Sequence, residues 1–136
     1  MTGTCHCGQV RVTLATKPDY LNACNCSFCA KSGSVWGYFA GGDVAVEGET
    51  QRYMRADRER PAAILHFCPT CGSTTHFTLA EHVGHDMTGV NARRFAPEAM
   101  AGVELRYPDG RGWDGKTQDF GYLEAHKPFV GEGAYL

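Results

Sequence analysis

The distribution of cysteines limits what this chain can fold into more than any other feature. All seven cysteines of the 136 residues fall in three short clusters. They are Cys5-His6-Cys7-Gly8, Cys24-Asn25-Cys26-Ser27-Phe28-Cys29 and Cys68-Pro69-Thr70-Cys71-Gly72. An odd count without a visible export signal favours the cytoplasm, where thiols stay reduced and bind metal rather than form disulfides. We therefore expect a cytoplasmic metal protein.

The first and third clusters have the form of zinc knuckles. In each, two cysteines lie close together on a tight turn, and a glycine, Gly8 or Gly72, follows the second cysteine. The glycine relieves the steric demand of the turn while backbone N–H groups point at the sulfurs. Together the knuckles supply four thiolates for a closed, structural zinc site. The predicted ligands are Cys5, Cys7, Cys68 and Cys71.

The middle cluster supplies three more thiolates, from Cys24, Cys26 and Cys29. Three protein ligands and a vacant fourth position define a catalytic zinc site. Two other interpretations stay open at this point, namely a closed site completed by a histidine and a redox cluster. The open site is the favoured prediction, and with it the chain would hold two zinc ions, one structural and one catalytic.

Short strand-like segments separated by Gly, Pro and Asp fill most of the chain, which predicts a mainly β fold. The predicted strands are Val10–Leu14, Tyr20–Ala23, Val35–Ala40, Val44–Glu47, Gln51–Met54, Ala63–Phe67, Thr74–Thr78, Met87–Asn91 and Val103–Tyr107. Helical signal is confined to Pro97–Ala101, which Gly102 ends after about two turns. No linker or repeat divides the chain, so we expect a single domain over residues 1–136.

Charge and hydropathy limit the partners that this chain is expected to have. Thirteen Lys and Arg against fifteen Asp and Glu give a net charge of -2 without runs of like charge, which argues against nucleic acid. No apolar run approaches the ~20 residues that span a bilayer, so no membrane partner is expected. Exposed edges of small β domains often pair, so a homodimer is compatible with the sequence.

The three motifs, in this order, resemble those of the glutathione-dependent formaldehyde-activating enzyme family, which includes domains similar to centromere protein V. The resemblance is carried by Gly3 to Arg11, Cys24 to Gly33 and His66 to Ser73, and is close through residues 1 to about 80. It implies small antiparallel β-sheets in a zinc-bound β-tent, an arrangement similar to that of guanine-nucleotide-exchange chaperones. It also implies a structural zinc on the two knuckles and a second zinc on the middle cluster.

The resemblance further implies a reaction, the condensation of formaldehyde with glutathione to S-(hydroxymethyl)glutathione, which is a carbon–sulfur lyase reaction in reverse. The partners would be a glutathione-like thiol and an aldehyde. A three-thiolate zinc site carries a net charge of -1 and suits a fourth sulfur ligand, since coordination deprotonates a thiol. A non-catalytic glutathione carrier and a zinc-stabilised interaction module are the alternatives.

The carboxylates of such a thiol need cationic partners, and Lys31 is the predicted binding residue because it follows the middle cluster closely. Four arginines are instead expected on a solvated surface: Arg52, Arg55, Arg58 and Arg60. Three histidines are expected to bind no metal: His6, His82 and His85. A histidine, a tyrosine or water could protonate the developing alkoxide, and spacing alone selects none of them.

Overall fold

The computed structural model describes residues 1–116, 121–131 and 136. Strands dominate this part of the chain, and most of them lie where apolar alternation predicts them, so the mainly β fold is confirmed. The strands are β1 (Thr2–Thr4), β2 (Arg11–Leu14), β3 (Tyr20–Asn22), β4 (Trp36–Phe39), β5 (Val44–Glu47), β6 (Gln51–Met54), β7 (Ala63–Phe67), β8 (Thr74–Leu79), β9 (Thr88–Asn91), β10 (Glu104–Arg106) and β11 (Lys127–Pro128).

Helices are short throughout the described residues. The α-helix is α1 (Ser27–Ser32), which the sequence did not predict, and 3₁₀ turns form at Gly41–Asp43, Glu81–Val83, Ala92–Arg94 and Pro97–Met100. The helix predicted at Pro97–Ala101 is therefore only a 3₁₀ turn. None of the described helices has both the length and the apolar character needed to cross a membrane.

The strands form two sheets. The smaller sheet has the order β1-β2-β5, and the larger one has the order β11-β10-β3-β4-β9-β8-β7-β6. Within the part of the chain that the structure describes, all strand pairs are antiparallel except β10 with β3, where Leu105 lies opposite Leu21 in parallel register. A parallel pair needs a long crossover, and the chain between β3 and β10 supplies it by forming strands β4 and β6 to β9 of the large sheet.

The main apolar core joins the two sheets. Val12 and Leu14 come from the small sheet and pack in one cluster with Leu21 and Val90 of the large sheet. Alternation along each strand sends these side chains to one face and their neighbours to the other. The other face of the large sheet is therefore available for a functional site.

That second face carries its own apolar cluster, which contains Trp36, Leu65 and Phe77 together with Cys29. Leu65 lies opposite Phe77, and Phe77 lies opposite Gly89, so these positions share one face of the sheet. A Cβ on Gly89 would overlap the Phe77 ring, so this glycine makes room for the ring to lie across the strand. The ring then meets Trp36 edge-on, with centroids 4.9 Å apart.

Candidate metal and substrate site

The structure brings the four knuckle cysteines together. The Sγ atoms of Cys5, Cys7, Cys68 and Cys71 all lie within 4.8 Å of one another, with 3.5 Å between Cys5 and Cys7 and 3.6 Å between Cys7 and Cys68. Because the cysteine pairs lie 61 residues apart in the chain, a shared ion would join the N-terminal strands to the β7–β8 hairpin.

Each knuckle is closed by a pair of backbone hydrogen bonds. The Cys5 N–H donates to Val10 O, and the Gly8 N–H donates to Cys5 O; Cys68 and Gly72 repeat the pattern. Gly8 and Gly72 have φ of 79° and 70°, a left-handed conformation that favours glycine over other residues. The Val10 N–H also donates to Cys5 Sγ at 3.2 Å, which stabilises a thiolate at that position.

The three remaining thiols form a second group at the end of β3 and the start of α1. The Sγ atoms of Cys24, Cys26 and Cys29 lie within 4.8 Å of one another. Cys26 is the N-cap of α1, and its side chain accepts the Cys29 N–H at 3.5 Å, while Cys24 Sγ accepts the Cys26 N–H at 3.4 Å. One turn of chain thus presents three sulfurs on one side, with backbone N–H groups directed at two of them.

A backbone loop also supports the three-thiol group. A Cβ on Gly110 would lie only 2.5 Å from Cys24 Sγ, so the loop after β10 approaches the cluster closely because it has glycine there. Asn25 holds that loop: its Nδ2 donates to Asp109 Oδ1 at 2.7 Å, and its Oδ1 accepts the Arg111 N–H at 3.0 Å. The loop therefore forms one wall of the site.

Trp36 supports the most buried of the three thiols. Its Nε1–H donates to Cys29 Sγ at 3.3 Å, and both side chains are buried. A donor aimed at sulfur offsets the negative charge of a thiolate and fixes its orientation. The pKa of Cys26 is lowered to about 2, most by its hydrogen bond with Cys24 and less by that with Cys29. The pKa of Cys29 is raised by its hydrogen bonds with Cys24 and Cys26.

The two groups have the donor chemistry of zinc sites. Each offers only sulfur, which suits Zn²⁺, and none of the seven cysteines forms a disulfide. In residues 1–116, 121–131 and 136, no fourth His, Cys, Asp or Glu joins the three-thiol group. The histidine-completed alternative thus finds no support in the described structure, and His6, His82 and His85 are exposed and lie outside both groups.

A cavity of ≈620 Å³ lies between α1 and strands β6 to β8. Its lining contains Phe28 and Lys31 of α1, Tyr53 and Arg55 on or next to β6, and Leu65 of β7. Ser27, which also lines the cavity, directly follows Cys26, so α1 connects the cavity to the three-thiol group, whose cysteines are not among the lining residues. Its volume is that of a small-molecule site, and its lining combines aromatic walls with cations.

The predicted binding residue Lys31 is exposed and lines this cavity. Its ammonium makes no ion pair with another described residue.

Arg55 departs from the solvated position predicted for it, because its side chain is only 19% exposed and is held by Asp57 at 2.7 Å. Its guanidinium also lies 5.5 Å from the Phe28 ring centroid. The other three arginines are exposed as predicted: Arg52, Arg58 and Arg60.

Sequence reasoning missed the supporting residues Trp36, Asn25 and Gly110. Nothing in a single sequence reveals that an indole or a distant glycine meets a cysteine, since strand pairing and a long-range loop bring them there. The Asn between two cysteines was the one available signal, because Asn often braces loops through its side-chain amide.

Comparison with known proteins places these features in context. A crystal structure of a Rhodobacter sphaeroides protein has 31% sequence identity and a TM-score of 0.56, covering 70% of this chain and 87% of that one. No protein of curated function matches the sequence significantly. The model of the glutathione-dependent formaldehyde-activating enzyme family matches residues 1–104, which contain all seven cysteines. The chain belongs to the glutathione-dependent formaldehyde-activating enzyme family.

Proposed function

We propose that this chain is a zinc-dependent carbon–sulfur lyase that joins glutathione, or a similar thiol, to formaldehyde and splits the adduct in reverse. The observation that carries the proposal is the three-thiol group without a fourth ligand among the described residues, at the start of the helix that lines a cavity with a cation. A structural zinc site is closed by four protein ligands, whereas a catalytic one has three and keeps an open position. Family membership supplies the thiol and the aldehyde as the substrate classes.

The two cysteine groups have different roles in this proposal. Cys5, Cys7, Cys68 and Cys71 would hold a structural zinc, and Cys24, Cys26 and Cys29 would hold a catalytic one. When bound by three thiolates, zinc supplies coordination that deprotonates an incoming thiol and fixes its position. Trp36 offsets the thiolate charge at Cys29, and the loop at Gly110 with the apolar face of the sheet keeps bulk water from one side.

The cavity beside α1 would bind the rest of the thiol. A tripeptide thiol carries two carboxylates, and Lys31 offers an ammonium that no described acidic residue neutralises. Arg55 is paired with Asp57 and lies over the Phe28 ring, so it would form a rigid wall of the cavity and bind a carboxylate more weakly than Lys31 does. We propose the cytoplasm as the place of action, since seven free thiols need a reducing compartment.

Exchange spectroscopy on formaldehyde and glutathione tests the proposal. Zinc-loaded protein should accelerate formation and cleavage of the adduct above the uncatalysed rate, and Lys31→Met should raise KM for glutathione while leaving kcat largely intact. Lys17→Met is the matched control, because Lys17 donates to Ala101 O and does not line the cavity. An unchanged exchange rate together with tight glutathione binding would refute catalysis and assign the chain as a glutathione carrier.

A further inference from the structure

A second cavity, of ≈290 Å³, shares no lining residue with the one beside α1. It lies where the chain leaves β9, and its lining residues are Arg93, Arg94, Phe95, Pro97 and Leu136. No cysteine of either thiol group is among them. The cavity is therefore separate from the proposed thiol site, and the proposed function does not explain it.

A rigid turn carries the two arginines of this cavity. Asn91, which is 0% exposed, caps the turn by accepting the Arg93 backbone N–H at 3.2 Å. The Asn91 side-chain amide also donates to Thr74 O at 3.0 Å, which ties the turn to β8. In addition, a Cβ on Gly3 would lie 2.7 Å from Arg94 O, so β1 packs directly on the turn. The backbone that carries both arginines is thus fixed by two strands before any ligand binds.

Both guanidinium groups lack a counter-charge. Arg94 is half-buried and Arg93 is exposed, and neither side chain forms an ion pair or a hydrogen bond with a described residue. Arg94 Nε is in addition buried without a hydrogen-bond partner. Charged groups that lose water are normally paired in folded proteins, because an unpaired one loses its hydration without compensation. The partner that this cavity lacks is an anion.

The electrostatics of Arg94 also favour an anion. Burial and the adjacent charge of Arg93 lower the pKa of Arg94, and the thiols of Cys71 and Cys5 oppose this effect. The guanidinium remains charged at neutral pH even so. Neither sulfur accepts a hydrogen bond from Arg94, so its N–H donors remain free. A negative ligand in the cavity would offset both the lost hydration and the repulsion between the arginines.

We propose that this cavity binds a small organic carboxylate. A guanidinium presents parallel N–H donors that match the two oxygens of a carboxylate, and the second arginine adds charge. The walls account for the organic part, because Phe95 is 6% exposed and Pro97 and Leu136 are half-buried beside the arginines. Inorganic phosphate is polar on every side and would bury none of this apolar surface favourably. The volume is close to the lower limit of small-molecule sites, so the ligand is small.

Calorimetric titration of the zinc-loaded chain with benzoate and with benzamide tests the site. The two probes have nearly the same shape, but only benzoate is charged, so wild-type protein should bind benzoate about 10- to 100-fold more tightly. Inorganic phosphate should bind about tenfold more weakly than benzoate, since it gains nothing from the apolar walls. Absent benzoate binding, equal affinities for benzoate and benzamide, or phosphate binding tighter than that of benzoate would each overturn the inference.

Substitutions locate the binding. Arg94→Gln should weaken benzoate binding about tenfold or more, and Arg93→Gln, a change at an exposed position that folding tolerates, about 3- to 10-fold. The controls are Arg60→Gln, at an exposed arginine that lines neither cavity, and Lys31→Met, which removes the cation of the cavity beside α1; each should stay within about twofold. Saturating benzoate should also raise the unfolding midpoint of wild type more than that of Arg94→Gln. Benzoate affinity that survives in both cavity variants, or that Lys31→Met abolishes, refutes the site.

Discussion

Replacing Trp36 with Phe should weaken metal binding at the three-thiol group while leaving the four-thiol group intact. Trp36 is 2% exposed and donates its indole N–H to Cys29 Sγ at 3.3 Å, and phenylalanine keeps an aromatic ring but loses the donor. A hydrogen bond to a charged group stabilises it by about 1.5–3 kcal/mol. Since about 1.4 kcal/mol is a factor of ten, affinity at this group should fall about 10- to 100-fold.

The substitution also removes packing contacts, and their effect on stability has to be distinguished from the effect of the lost hydrogen bond on metal affinity. The smaller ring leaves a gap beside Phe77, and the expected loss of unfolding free energy is about 1–2 kcal/mol. Phe77→Leu is the matched control, because it removes a ring from the same contact and keeps the Trp36 N–H. It should cost a similar stability and change metal affinity less than about threefold.

Competition with a chromophoric chelator measures both affinities in one titration. Zinc-saturated wild-type protein should release its ions in two steps. The step that reports the weaker site should shift to lower chelator concentration in Trp36→Phe but not in Phe77→Leu. Urea unfolding of the zinc-saturated forms gives the stability of each variant. Equal affinities of the weaker step in wild type and Trp36→Phe would refute the role of the indole N–H.

Three further predictions concern stability. Cys68→Ser should leave the chain largely unfolded by circular dichroism even with excess zinc, since it removes a buried cysteine of the proposed structural site that would join the N-terminal strands to the β7–β8 hairpin. Gly89→Ala should lower the unfolding free energy by about 1–3 kcal/mol through overlap with Phe77, whereas Gly42→Ala, which meets open space, should stay within about 0.5 kcal/mol in the same urea titration. Burial lowers the pKa of His76 from 6.5 to about 4. Protonation of this side chain therefore favours the unfolded chain as the pH falls from 6.5 to 4. Over that range the unfolding free energy of wild type should fall by about 3 kcal/mol more than that of His76→Gln.

Most strands were predictable because each carries its own signal. Val12 and Leu14 alternate with polar neighbours, and Ala63–Phe67 is a compact apolar run, so periodicity locates both strands. The edge strands Thr2–Thr4 and Lys127–Pro128 are too short and polar to show a period, and only pairing with their neighbours defines them. The parallel pairing of β10 with β3 could not be predicted, because it depends on the path of the chain between them and no local sequence pattern indicates that path.

The cysteine groups could be predicted from spacing, but their surroundings could not. Helix α1 lacks the usual start signal, because its N-cap is Cys26 rather than Ser or Asp, and it is only six residues long, although Gly33 at its C-cap is a usual end signal. Arg55 was expected in solvent because the residues around it are polar, yet an ion pair with Asp57 holds it against α1.

Cadmium-113 NMR offers the most direct test of the unequal division of the seven sulfurs. Cadmium can replace zinc in thiolate sites, and each bound ion reports its own ligands. We expect two resonances of equal intensity, of which one moves when glutathione is added and the other stays fixed. A single resonance at full metal loading, or two that glutathione leaves unchanged, would contradict a closed four-thiolate site beside an open three-thiolate one.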